Sequence, residues 1–179
     1  MLRRNFLTLS GAVLLAAPIP VFAAKRDLEA IRSGWRSLLA PDADIEESLE
    51  QVDWDEAEWR RRVDDEAAYR VLVEEDTEPP FSSALNDEKR PGVFVCRACR
   101  LPLFTSEMKY DSGTGWPSFF TAIPDHLETK TDFKLIWPRT EYHCAKCGGH
   151  QGHVFDDGPA PTGKRWCNNG LALSFVPAG

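Results

Sequence analysis

Four of the five cysteines fall into two C-x-x-C pairs, Cys96-Arg-Ala-Cys99 and Cys144-Ala-Lys-Cys147. One such pair alone could be a redox dithiol or the root of a disulfide loop. Two in one chain supply the four thiolates of a tetrahedral sulfur set, the geometry zinc favours. Each knuckle turns both sulfurs to one side, and Gly148-Gly149 after the second gives the backbone room for a tight turn. Four protein ligands leave no open position, so a zinc ion here holds the fold and does not catalyse. The 44 residues between the pairs exceed the spacing of a compact zinc ribbon, so the metal is expected to pin two distant strands.

Cys167 stands apart, in Arg165-Trp-Cys-Asn-Asn169. It reads either as a buried core cysteine or as a reactive thiol. Arg165, two residues away, shares its face if the segment is a strand, and a nearby cation favours the thiolate. His150-Gln-Gly-His153 places two imidazoles three residues apart just after the second knuckle. They could form a second metal site, sit on the surface, or pass a proton to the oxygen of a centre attacked by a thiolate. His126 and His143 have no such company and are expected at the surface.

The elements that must carry these groups change character along the chain. Residues 24–90 hold 10 basic and 20 acidic side chains, whereas residues 91–179 hold 9 and 8. All the cysteines lie in the near-neutral part, with the acidic part as its solvated jacket. A net charge of −7 without a basic cluster excludes an electrostatically driven nucleic-acid binder. Thirteen Pro, twelve Gly and an aromatic-rich composition exclude collagen, coiled coil and wholesale disorder. Leu28, Ile31, Trp35, Leu38 and Leu39 keep helical spacing, weakened by Gly34, and Pro41–Ser48 reads as an acidic linker. Asp53 followed by Glu56 predicts a helix start leading into Trp54–Arg62, and a second short helix opens at Asp64 and ends before Glu78-Pro79-Pro80. From residue 91, β-prone runs at Gly92–Cys96, Lys134–Trp137, Gly152–Phe155 and Leu171–Val176 alternate with Gly- and Pro-rich turns. The expectation is a mostly antiparallel β-domain behind short N-terminal helices.

The first residues read as an address. Arg3-Arg4-Asn-Phe-Leu7 resembles a twin-arginine export signal, the other reading being an ordinary secretory signal. The apolar stretch Leu7–Ala17 rises only about 16 Å, too short for a hydrocarbon core of roughly 30 Å. Small residues at Val21-Phe22-Ala23 suit cleavage, which sets off a leader (1–23) from an acidic helical and linker segment (24–49) and the cysteine-bearing remainder of the chain. A periplasmic protein without a permanent membrane span is expected.

Gly115-Trp-Pro-Ser-Phe119, Cys147-Gly-Gly-His-Gln-Gly-His-Val-Phe155, Asp157-Gly-Pro159 and Arg165-Trp-Cys-Asn-Asn169 together resemble the methionine sulfoxide reductase B family. So do the knuckles and the lead-in from Tyr69 to Phe81; the resemblance runs from about residue 50 to Val176 and implies a catalytic domain at 50–179. The resemblance implies two small antiparallel sheets packed together, a structural zinc on Cys96, Cys99, Cys144 and Cys147, and reduction of the R epimer of methionine sulfoxide, free or in protein. It implies Cys167 as nucleophile, His153 as proton donor to the sulfoxide oxygen with His150 assisting, Trp116 as the wall for the substrate methyl, and Asn169 as a positioning group. Read without the resemblance, Trp116 is equally a core aromatic before a Pro turn.

Departures from the family pattern carry information too. Thr114 occupies the position of the family's frequent resolving cysteine, so an external thiol, thioredoxin-like or small, is expected to reduce the sulfenic acid on Cys167. Gln151, Asn168 and Trp166 replace aliphatic, aliphatic and Tyr or Phe residues, and the first two are expected to make the site more polar. The enzyme is expected to be a monomer; the competing reading is a zinc-stabilised β-module that binds a partner without catalysis, which needs neither Cys167 nor the histidine pair.

Overall fold

The computed structural model describes residues 28–132 and 139–179. The leader at 1–23 and the strand expected at Lys134–Trp137 lie outside the described residues. Residues 28–33 form a helix, α1, which tightens into a 3-10 turn at Gly34–Leu38. That turn buries Trp35, whose ring meets His126 edge-on at 5.8 Å. His126 is therefore buried, not at the surface; its Nδ1 donates to the Pro102 carbonyl, and burial lowers its pKa.

Helices α2 (Glu56–Arg62) and α3 (Glu66–Glu74) begin one or two residues later than expected. Asp55 repeats the Asp-x-x-Glu spacing two residues on, and its carboxylate accepts from the Glu58 N–H at 2.8 Å. Asp65 caps α3 by accepting from the N–H groups of Ala67 and Ala68. α3 lays Ala68, Tyr69, Val71 and Leu72 onto the core and ends at Glu75, which adopts a left-handed conformation.

Among the described residues nine strands follow: β1 (Gly92–Cys96), β2 (Pro102–Thr105), β3 (Lys109–Tyr110), β4 (Ser118–Phe119), β5 (Leu127–Asp132), β6 (Arg139–Cys144), β7 (His150–Phe155), β8 (Arg165–Asn168) and β9 (Leu173–Pro177). They make a three-stranded sheet, β2-β1-β9, and a six-stranded sheet, β3-β4-β8-β7-β6-β5. Every pairing is antiparallel, as the sequence led one to expect. Phe94 and Phe104 of the smaller sheet pack on Phe119 of the larger, Phe104 stacking on it at 4.0 Å. Tyr142 and Trp166 extend this aromatic core.

Part of the segment read as a linker is strapped down. Arg100 donates to the Asp44 carbonyl, the Glu46 N–H donates to Arg100, and Lys146 donates to the carbonyls of Ser48 and Glu50. Arg100 follows Cys99 and Lys146 precedes Cys147, so this strap crosses both knuckles.

Candidate active site

The register of the larger sheet aligns one residue from each strand in a single row: Tyr110, Ser118, Cys167, His153, Glu141 and Lys130. Directly opposed residues project to the same face, so Cys167 lies between Ser118 and His153. Gly152, beside His153, makes this approach close: a Cβ there would come within 2.0 Å of the Cys167 carbonyl oxygen.

His150 would face away from His153 in a regular strand, because side chains three residues apart point to opposite faces. The β6–β7 register slips between Tyr142 and His143, so that His143 opposes His150 and Gln151 is the extra residue. This bulge turns His150 back beside His153, with ring centroids 5.5 Å apart. The sequence paired the two histidines; only the bulge explains how a strand can present both.

A cavity of about 110 Å³ opens over the row, lined by Trp116, His153, Phe155, Cys167 and Asn169 among others. The Trp116 indole N–H donates to the Glu78 carbonyl at 3.1 Å. Asn169 lines the cavity, but its amide is spent on main chain: Nδ2 donates to the Gln151 carbonyl and Oδ1 accepts from the Glu78 N–H. Glu78 is buried and its carboxylate accepts from the N–H groups of Gly170 and Leu171. Burial nonetheless pushes its carboxyl pKa up. Glu78 thus ties the wall at Trp116 to the segment after Cys167, a role that no spacing in the sequence announces.

Cys167 does not have the lowered pKa that a neighbouring arginine suggested. Burial raises it, and this outweighs the Arg165 charge and hydrogen bonds from Thr114 and Arg165. Arg165 is also committed elsewhere, donating through Nε and a terminal nitrogen to both oxygens of Asp157 at 2.8 Å. Tyr110, at the end of the row, holds its hydroxyl buried in the same surroundings; burial raises its pKa and the Arg165 charge opposes this. Its participation was invisible in the sequence, since Tyr110 belongs to no motif and joins the site through strand order alone.

The four knuckle cysteines converge at the junction of the two sheets. Cys96 and Cys147 have sulfurs 3.7 Å apart, Cys99 and Cys144 3.4 Å, and all four sulfurs lie within 4.8 Å of one another. A disulfide needs about 2.05 Å, whereas four sulfurs at about 2.3 Å from one ion lie some 3.8 Å apart. Hydrogen bonds from neighbouring thiols and burial hold the Cys147 proton on. Four crowded sulfurs cannot all ionise without a cation among them, so the donor set fits structural zinc. The knuckles are built alike: the Arg100 N–H donates to the Cys96 carbonyl and the Gly148 N–H to the Cys144 carbonyl, each at 2.9 Å. Arg100 and Gly148 both adopt left-handed conformations, φ 66° and 71°. Cys96 closes β1 and Cys144 closes β6, so the set pins strands of different sheets.

Of the two residues expected to add polarity, Asn168 lines the cavity beside Cys167 and Gln151 does not, and the amides of both are engaged with buried partners. Asn168 Oδ1 accepts from the Tyr142 hydroxyl, its Nδ2 reaches Gln151 Oε1, and the Gln151 amide points at the Cys96 sulfur at 3.6 Å. The row alternation turns the Asn168 amide away from Cys167, and the bulge turns Gln151 inward.

These features define a class: a mainly β scaffold with a four-cysteine cluster, carrying a fifth cysteine opposite a histidine beneath a cavity. Residues 65–177 match the SelR domain family. The chain is 47% identical over 131 residues to "Peptide methionine sulfoxide reductase MsrB" of Hahella chejuensis, covering 73% of this chain and 94% of that one. It is 47% identical over 125 residues to the protein of that name in Methanosarcina barkeri, covering 69% and 87%. With the Caulobacter vibrioides protein it shares 52% over 111 residues, covering 62% and 70%. The chain belongs to the methionine sulfoxide reductase B family.

Proposed function

We propose that the chain reduces the R epimer of methionine sulfoxide to methionine, with Cys167 as nucleophile. The observation that carries this reading is the Cys167–His153 pair beneath a cavity walled by Trp116. The substrate methyl rests on the indole and the sulfoxide oxygen points toward His153. Cys167 attacks the sulfoxide sulfur as thiolate; His153, assisted by His150, supplies the proton to the oxygen. The net exchange moves one oxygen from substrate sulfur to Cys167, releasing methionine and leaving a sulfenic acid. The cavity lies beside a thiol whose burial disfavours the free thiolate, so substrate meets a largely protonated nucleophile and ionisation belongs to the reacting complex.

Among the described residues the remaining cysteines belong to the metal set, so the sulfenic acid is reduced from outside. One external thiol condenses with it, losing water and forming a mixed disulfide, and a second thiol frees Cys167. A thioredoxin-like dithiol or a small thiol meets this need. Zinc on Cys96, Cys99, Cys144 and Cys147 holds the sheets together. The leader motif supports export to the periplasm, and no helix among the described residues is long and apolar enough to cross a membrane.

The test is turnover of a racemic methionine sulfoxide dipeptide with excess dithiothreitol, resolving the epimers, with Cys167→Ser alongside. Loss of the R epimer alone, and only with Cys167 present, is the expected result. Zinc-loaded protein that consumes neither epimer would establish a binding module instead.

A further inference from the structure

We infer that Glu141, His143 and His150 form a second, exchangeable site for a divalent transition-metal ion such as zinc, set beside the catalytic histidine. The three donors come from two adjacent strands through the β6–β7 bulge that carries His150 opposite His143. Their ligating atoms all lie within 4.8 Å of one another. Glu141 offers a different oxygen to each ring, Oε1 at 3.5 Å from His143 Nε2 and Oε2 at 3.7 Å from His150 Nδ1. Those separations exceed a hydrogen bond and match the roughly 3.3 Å between donors that share a tetrahedral ion at about 2.0–2.1 Å, with slight contraction on binding.

The partner behind His143 strengthens the assignment. His143 Nδ1 lies 3.0 Å from the Gly148 carbonyl, which can only accept, so the ring proton sits on Nδ1. Nε2 is then the nitrogen left to face the Glu141 carboxylate and to serve as the metal donor. A backbone carbonyl behind one nitrogen with the other aimed at a shared point is the arrangement that orients metal-bound histidine. The three groups are largely buried, with side chains 5%, 12% and 1% exposed for Glu141, His143 and His150. Two imidazoles and a carboxylate suit zinc, nickel or copper rather than magnesium or calcium. Lys130 is the resident competitor: its ammonium lies 3.1 Å from Glu141 Oε1 and 2.7 Å from Glu75 Oε1, and its half-exposed side chain can swing out. His143, read from the sequence as an incidental surface residue, is thus the residue that makes the site.

An ion here would hold His150 rigid and neutral, 5.5 Å from the His153 ring. It would therefore slow the reductase; this consequence rests on the proposed catalytic reading, while binding itself does not. The probe is zinc or cobalt chloride added without thiol to full-length mature protein already carrying its structural zinc. The expected result is one additional ion per chain, and cobalt bands lacking thiolate charge transfer, because the donors are nitrogen and oxygen. His143→Ala should keep the structural zinc and basal turnover yet bind the added ion at least about tenfold more weakly. Lys130→Ala should bind it more tightly. In a single turnover of pre-reduced enzyme with no chelating thiol, the added ion should slow methionine formation severalfold in the parent and leave His143→Ala unaffected. No additional ion, equal uptake by His143→Ala, or thiolate charge-transfer bands would overturn the site. An ion bound as described with unchanged single-turnover rate would overturn its inhibitory role alone.

Discussion

Cys167 and His153 oppose each other in the β7–β8 ladder, and the neighbouring Gly152 lets the strands close at that point. The proposed nucleophile and its proposed proton donor are therefore set by backbone register and not by a loop. Gly152→Ala puts a methyl group 2.0 Å from the Cys167 carbonyl oxygen, and backbone cannot yield as a side-chain tip can. We expect a loss of about 2–4 kcal/mol in stability, read by denaturant unfolding, and turnover reduced further than the folded fraction explains.

The raised pKa of Cys167 has a kinetic signature. Alkylation of the free thiol by iodoacetamide should reach half its plateau rate only above pH 9.0, the ordinary thiol value, since burial defers ionisation. Arg165 opposes that burial effect, so Arg165→Gln should move the curve to still higher pH. Alkylation at pH 8 should then fall by roughly three- to tenfold. A curve in Arg165→Gln that overlays the parent would show the guanidinium spent wholly on Asp157.

Much of this site was legible in the sequence, for identifiable reasons. The cysteine pairs announce a metal by type and spacing, and the run Gly92–Cys96 places Cys96 at a strand end, whereas β6, which ends at Cys144, falls outside the β-prone runs and shows only in the structure. Residue type marks Cys167, His150, His153 and Trp116, but not their mutual approach, which depends on register. A one-residue slip reverses every side chain of a strand, and the slip at Tyr142–His143 has no compositional marker. The inward turn of Gln151 and the recruitment of His143 follow from that slip, while Tyr110 enters the row through the β3–β4 and β4–β8 pairings, which are equally non-local. The strap over the knuckles was hidden for a different reason: its bonds are made largely by backbone carbonyls, which no residue type signals.

Glu78 should leave a mark on stability against pH. Burial raises its native pKa above 4.5, so the unfolded carboxyl releases its proton first. Within the window from 4.5 to the raised native value the folded state binds more protons, and stability falls as pH rises through it. Glu78→Gln cannot ionise, so its melting temperature should decline less over that window. Equal slopes would mean that the bonds from Gly170 and Leu171 cancel the burial effect.

Removal of the structural metal should loosen the two sheets from each other. Cys99→Ser leaves three thiolates, which cannot satisfy a closed tetrahedral site, and Cys96 of β1 then loses its tie to Cys144 of β6. The expected outcome is loss of bound zinc and of several kcal/mol in stability, on the order of the contribution such sites make to small domains. Near-ultraviolet circular dichroism of the aromatic core would report it, with Phe104 and Phe119 separating first at the sheet interface. Zinc content unchanged in Cys99→Ser would contradict the assignment.

Thr114 is where the catalytic cycle could be rerouted. Its hydroxyl is a hydrogen-bond partner of Cys167 and lies 2.8 Å from Ser112 Oγ, which in turn lies 2.8 Å from Ser118 Oγ in the row. A thiol in place of that hydroxyl would begin within reach of the sulfenic acid. In Thr114→Cys, attack by the new thiol expels water and closes an intramolecular disulfide after one turnover, with no external thiol consumed. Mass spectrometry after a single turnover should find Cys167 linked to the new cysteine, whereas the parent should hold a sulfenic acid that an external probe can trap. Dithiol reductants should then support Thr114→Cys severalfold better than monothiols, because a second thiol resolves the mixed disulfide internally. If Thr114→Cys forms no such disulfide, position 114 lies out of reach of the Cys167 sulfur, against the hydrogen bond from the Thr114 hydroxyl on which the expectation rests.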